Sequence, residues 1–139
     1  MRMQLKGKVA IVTGAGQGIG KAIAVDLASN GATVLVTDLD CKLAQETSAL
    51  IGTDSDYMQV DVANLDDVQR MIDTCLQKFS KLDILINNAG VTRFVDIMGV
   101  TVEDWDLMHT VNARGTFFAM QFAAKQMIET KVSGNIINI

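Results

Sequence analysis

Five short apolar runs alternate with longer stretches of helical periodicity, a glycine-rich turn follows the first run, and no linker interrupts the series. These features predict one α/β domain over residues 1–139, a doubly wound parallel sheet with helices on both faces. Parallel strands need crossover helices, and the crossovers run right-handed. Nearly continuous apolar strands imply a sheet covered on both sides.

Each element has its own signal. Val9–Val12 is a continuous apolar run and reads as a buried strand. Residues 19–30 carry Ile19, Ile23, Leu27 and Ala28 at helical spacing, and Gly31 stops them. Residues 33–37 form the second strand, and residues 40–51 a helix ended by Gly52. Residues 57–60 are a weaker third strand. Leu65–Phe79 is helical, with Val68, Met71, Ile72, Cys75, Leu76 and Phe79 on one face. Residues 82–86 are the fourth strand. Residues 102–130 read as one long helix, opened by a Thr101/Asp104 capping box. Residues 134–139 are a fifth strand, on which the sequence ends. A central strand at that place presents an open edge, so a domain cut short after its fifth strand is expected.

Composition narrows the function. The 139 residues are 49% hydrophobic and 20% charged, which suits one globular domain with a real core. A net charge of −4 gives no electrostatic reason to bind nucleic acid or an anionic membrane. No apolar run approaches the roughly 18–20 residues of a membrane span. Residues 1–8 are short and polar and lead into a strand, so no signal peptide is expected. Cys41 and Cys75 belong to no disulfide or metal motif, which suits a reduced, cytoplasmic chain without a metal site. Both are expected to be small packed residues, not reactive thiols.

The turn after the first strand is Thr13-Gly14-Ala15-Gly16-Gln17-Gly18-Ile19-Gly20, and it opens the first helix. Glycines admit positive φ and let the backbone approach a pyrophosphate. The helix N-terminus offers free N–H groups and partial positive charge. No Gly-Lys-Ser/Thr follows, so this is not a P-loop. The G-x-G-x-x-G spacing also fails, because positions 19 and 21 are Ile and Lys. A turn that merely packs helix on strand is the plainer alternative. The second strand leads into Asp38, twenty residues after Gly18. A carboxylate there accepts hydrogen bonds from the adenosine ribose and repels a 2′-phosphate. Gln17 and Leu39 supply no offsetting positive charge, so NAD(H) is expected over NADP(H). A solvated acid or a helix cap is the alternative for Asp38, but Asp40 is better placed to cap.

These residues resemble the short-chain dehydrogenases/reductases, over the whole chain. The family's T-G-x-x-x-G-x-G matches Thr13, Gly14, Gly18 and Gly20; Gln17 and Ile19 stand within it. An aspartate and small apolar residue beside the adenine match Asp61 and Val62. The N-N-A-G segment that supports the sheet and lines the cofactor matches Asn87, Asn88, Ala89 and Gly90. An asparagine in the long helix, with a glycine three residues on, matches Asn112 and Gly115; Val111 precedes it. The resemblance implies a Rossmann-like sheet of strand order 3-2-1-4-5. It implies hydride transfer between nicotinamide and a small alcohol or carbonyl substrate, and a homo-oligomer formed through residues 102–130.

It also implies a catalytic tetrad of Asn, Ser, Tyr and Lys, of which Asn112 alone is present. In the family this asparagine holds a water that contacts the lysine. Tyr57 is the only tyrosine, no Tyr-x-x-x-Lys exists, and the serine of the family follows a run like residues 134–139. His109, Ser80 and Ser133 read as an exposed helical residue and two turn residues, not as substitutes. The chain as given is therefore expected to bind cofactor without turnover, with Thr92 to Met98 bordering the substrate side. A nucleotide-binding or interaction module is the alternative. A methyltransferase also uses a glycine-rich first loop, but Asn87 to Gly90 speaks against one.

Overall fold

The computed structural model describes residues 5–139, so the first four of the polar residues 1–8 lie outside the described residues. Strand β1 (Val9–Val12) is buried along its whole length. Helix α1 (Gly18–Ser29) returns the chain to β2 (Thr33–Asp38). Helix α2 (Cys41–Ile51), β3 (Ser55–Gln59), α3 (Leu65–Phe79) and β4 (Ile84–Asn87) follow. Helix α4 (Val102–His109), a wide turn (Thr110–Gly115), α5 (Thr116–Glu129) and β5 (Asn135–Asn138) complete the order. The five strands form one parallel sheet ordered β3-β2-β1-β4-β5, the doubly wound, Rossmann-like order expected. Successive crossovers run one way from β1 and then the other. The strand order therefore reverses between β1 and β4, and a crevice opens above their carboxyl ends.

Side chains alternate across the sheet and build two core layers. Ala10, Val12, Val34 and Val36 pack with Ala24 of α1 and Ala44 of α2. Ile11, Leu35 and Leu85 pack with Val68, Met71 and Ile72 of α3 and with Ala119 and Ala123 of α5. Local chemistry sets the helix ends. Asp40 caps α2 by accepting from Lys42 N and Leu43 N, and Asn64 caps α3 by accepting from Asp66 N. Thr101 and Asp104 close the reciprocal capping box of α4. No helix among the described residues is long and apolar enough to cross a membrane.

Four expectations need correction. The third strand is Ser55–Gln59 rather than 57–60, because an edge strand is set by its ladder with β2, which starts at Val34–Ser55. Val60, its most apolar residue, is buried just beyond the strand. The fourth strand starts at Ile84 rather than 82; Leu82 and Asp83 are buried, and Asp83, whose N–H donates to Val9 O and whose carbonyl accepts from Asn135 N, stands just before the first registered pairs at Ile84. The stretch 102–130 is not one regular helix, since the turn at 110–115 is wider than α. On this stretch Trp105, Phe117 and Ile128 are 57%, 53% and 76% exposed. Ala119, Ala123 and Met127 face the sheet, and these exposed side chains lie on the other side. Cys41 is exposed at the first position of α2, whereas Cys75 is buried as expected.

Candidate functional site

The crevice is closed at its floor by one hydroxyl. Thr13 follows β1 and is buried; its Oγ1 accepts from Asn88 N and Ala89 N, both at 3.0 Å. The Asn88 amide answers by donating Nδ2 to Thr13 O at 3.1 Å and to Gly14 O at 3.0 Å. Loop and β4 end are thereby one unit. The glycines serve it differently. Gly14 sits at φ +60° with Ala89 Cα 2.9 Å from where a Cβ would stand. Gly18 has open space around it and is required for its φ of +56° alone. Gly20 is required for space, since a Cβ would collide with the Gly14 carbonyl and the Asn88 amide.

Helix α1 starts at this loop with its first turn uncovered. Gln17 makes no side-chain cap, and no acidic residue lies in the first turn. Unsatisfied N–H groups with a positive end dipole therefore face the crevice mouth, beside exposed Ile19. This is a cradle fit for an anion. A second wall comes from β2. Asp38 Oδ2 accepts from Gly16 N at 2.8 Å, and its Oδ1 accepts from Asp40 N at 3.0 Å. Leu39 beside it is exposed.

The third wall follows β3. Asp61 Oδ1 accepts from Ala63 N at 2.9 Å, and Asp61 N donates to Asp67 Oδ2 at 3.0 Å, which fixes the turn carrying Val62. The wide turn at 110–115 braces this wall. Gly115 lies so close that a Cβ would strike the Val62 carbonyl, and Arg114 donates Nη1 to Ala63 O at 3.4 Å. Wide turns inside helices recur at functional sites. On its other side the same turn presents Asn112, whose Oδ1 accepts from Val91 N and whose Nδ2 donates to Val91 O, both at 2.8 Å. The asparagine amide thus holds the segment after β4.

Ten of the sequence-chosen residues line one groove: Gly14, Gln17, Asp38, Leu39, Asp61, Val62, Asn88, Ala89, Gly90 and Val111. Thr13 and Gly20 are buried beneath it, Gly18 and Ile19 start α1, and Asn112 lines an adjoining depression with Thr92 and Ile139. Thr37, Val60 and Val91 also line the groove and were missed. They are strand-end residues without a motif, and position at the carboxyl end of a strand was their only signal. Of the segment expected to border a substrate, Thr92 reaches that depression, while Phe94, Ile97 and Met98 stand almost fully in solvent. His109 is exposed, stacked on Trp105 with centroids 3.9 Å apart. Burial, with the Asp83 charge, pushes the Cys75 thiol up to about 12, so it is inert.

A parallel sheet of this order, with a glycine loop and an open helix end at its switch point, defines a doubly wound α/β protein whose crevice is fit for an anionic group. The chain belongs to the short chain dehydrogenase family, whose profile matches residues 8–139. It is 40% identical over 137 residues to a short-chain dehydrogenase/reductase of Armillaria gallica, covering 95% of this chain and 52% of that protein. It is 40% identical over 139 residues to a 3-oxoacyl-[acyl-carrier-protein] reductase of a Synechocystis strain, covering 97% and 56%. It is 38% identical over 139 residues to a D-threitol dehydrogenase of Mycolicibacterium smegmatis, covering 98% and 53%. The chain spans about half the length of these curated relatives. The family is one of oxidoreductases, and membership implies a nicotinamide cofactor.

Proposed function

We propose that residues 1–139 are the cofactor-binding part of an NAD(H)-dependent oxidoreductase that interconverts an alcohol and a carbonyl on a small molecule. The nicotinamide, when bound, supplies or accepts the hydride. This chain's residues bind and orient it. The first turn of α1 and the backbone of Gly14 to Gly18 take the pyrophosphate, Asp38 takes the adenosine ribose, and Asp61 and Val62 flank the adenine. Asn88 to Gly90, with Val111, flank the remainder of the cofactor, and Asn112 fixes the Val91 segment.

One observation carries the preference for NAD(H). The Asp38 carboxylate is held on the groove wall by two backbone N–H groups, and no basic side chain among the described residues lines that groove. Lys42, in the depression beside it, is paired with Glu46. A fixed negative charge favours two free ribose hydroxyls and disfavours a 2′-phosphate. The groups that would complete the chemistry, a serine following the 134–139 run and a Tyr-x-x-x-Lys, are not among these 139 residues. The chain by itself therefore binds cofactor without turnover, in a reduced cytoplasmic setting, with the exposed side chains of α4 and α5 packing on a second copy.

Calorimetry with NADH, NADPH and S-adenosylmethionine tests this. NADH should bind most tightly, and preference for NADPH or S-adenosylmethionine overturns the assignment. Sustained NADH-linked turnover by a chain of verified mass overturns the claim of inactivity.

A further inference from the structure

We propose that Gly16, a residue outside the family fingerprint, determines cofactor selectivity by fixing the position of the Asp38 carboxylate. The inference rests on the NAD(H) assignment and goes one residue deeper. Gly16 lies at the tip of the glycine loop and is buried, with both its backbone groups taken. Its N–H donates to Asp38 Oδ2 at 2.8 Å, and its carbonyl accepts from the buried Thr47 hydroxyl of α2 at 3.2 Å. Ala15 N donates to Thr37 O at 2.9 Å, so the tip is stitched to β2 as well.

Conformation does not require glycine at position 16, because its φ lies outside the left-handed region. Space does. A Cβ there would stand 2.9 Å from Asp38 Oδ2 and 2.6 Å from Leu43 Cβ. Leu43 Cβ is rooted in α2 and cannot swing aside, so the carboxylate and the loop must part. The absent side chain at 16 is thus what lets the carboxylate dock on the loop. A docked carboxylate is a preorganised acceptor and a fixed negative charge, whereas an undocked one rotates into solvent and discriminates poorly.

Titration of wild-type and Gly16→Ala protein with NADH and NADPH tests the proposal. The expected result is an NADH Kd raised about tenfold, the scale of one charge-assisted hydrogen bond, with a much smaller change for NADPH. In an Asp38→Asn background the NADH:NADPH ratio is already reduced, and Gly16→Ala should shift it no further. Equal weakening of both nucleotides, or a ratio shift that persists without the Asp38 charge, overturns the proposal. Should Gly16→Ala fail to fold, Thr47→Val removes the bond to the Gly16 carbonyl without adding bulk. It should lower the ratio in the same direction by about threefold, below the full value of a charge-assisted bond, and an unchanged ratio overturns the proposal. Wild-type protein that binds neither nucleotide, or prefers NADPH, removes the NAD(H) assignment and this inference together. Wild-type preference for NADH with a selectivity untouched by Gly16→Ala removes the inference alone.

Discussion

Strands β1 and β4 are joined by a side chain at each end, and the two joints are chemically opposite. At the carboxyl end, the neutral Thr13 hydroxyl accepts from Asn88 N and Ala89 N. At the amino end, the Asp83 carboxylate accepts from Val9 N at 2.9 Å, from Lys8 Nζ at 3.1 Å and from Lys81 Nζ at 3.0 Å. Both positions are buried and demand an acceptor for backbone N–H groups. A carboxylate is the stronger acceptor, and the amino end uses one with two cations to neutralise it. The carboxyl end forgoes that strength. Its joint lies beneath the glycine loop and the open end of α1, and a fixed anion there would cancel the positive field that an anionic ligand needs. The β1–β4 pair is held by charge at its amino end and by neutral bonds at its carboxyl end.

The largest effect should come from placing the amino-end chemistry at the carboxyl end. Thr13→Asp keeps an acceptor for the two N–H groups and adds a negative charge under the loop. NADH affinity should fall by about a hundredfold, the scale of the roughly 3 kcal/mol that a nearby like charge costs at a protein surface. Asp83→Asn, at the far end of the same strands, should leave affinity unchanged. Comparable losses from the two variants in a binding titration would mean that Thr13→Asp acts by damaging the fold, and the contrast between the two ends would fail.

A smaller effect separates the joints by pH. Burial alone would raise the Asp83 carboxyl, but the Val9 N–H and the Lys81 and Lys8 ammonium groups outweigh it and hold it below the usual carboxylate range. The folded-state value thus lies below the unfolded one of about 3.9. Its stabilisation is fully present above that unfolded value and is lost as pH falls through the folded one. Asp83→Ala should cost about 2–3 kcal/mol at pH 7, the scale of a lost charged hydrogen bond with a backbone N–H left unpaired. The cost should shrink as pH drops below 4. Thr13→Val leaves two N–H groups unpaired and should cost a similar amount at every pH, since no titrating group is removed. Urea unfolding from pH 3 to pH 7 distinguishes the two, and parallel pH profiles would sink the distinction.

How far the sequence revealed these features depended on range. The carboxyl-end floor was legible because glycine spacing, Asp38 and Asn87 to Gly90 are local patterns with known backbone reasons. The parallel, doubly wound sheet followed from alternating elements and the handedness of crossovers, and its strand order from the family resemblance. The partner of Thr13 was not legible, because Asn88 lies 75 residues away. Nor was the role of Asp83, which bonds Val9, 74 residues distant. The constraint on Gly16 was not legible, because it comes from Leu43 and Asp38 rather than from its own conformation. The frame of β3 was missed because an edge strand with polar residues at Ser55 and Asp56 is specified by its neighbour's ladder, not by its own hydrophobicity. The wide turn at 110–115 left a trace, an asparagine inside an apolar helix, but its geometry comes from packing Gly115 on Val62.

The smallest effects should come from the two lysines singly and a larger one from both together. Their side chains are 46% and 37% exposed, against 5% for Asp83. A half-exposed ammonium is largely solvated already, so Lys8→Met or Lys81→Met alone should cost less than about 1 kcal/mol. After the first loss, the carboxylate still keeps one ammonium and the Val9 N–H. The second loss leaves a buried charge with one donor, and its carboxyl must then rise toward or past the unfolded value, because burial is no longer outweighed. Lys8→Met/Lys81→Met should therefore destabilise by more than the sum of the singles, with a coupling of about 0.5 kcal/mol or more. Its acid unfolding should also begin at higher pH. A double variant that is additive in urea would mean that the lysines act as separate surface charges. The backbone bond to Val9 would then hold the amino end alone, as the Thr13 hydroxyl bonds hold the other end without any charge.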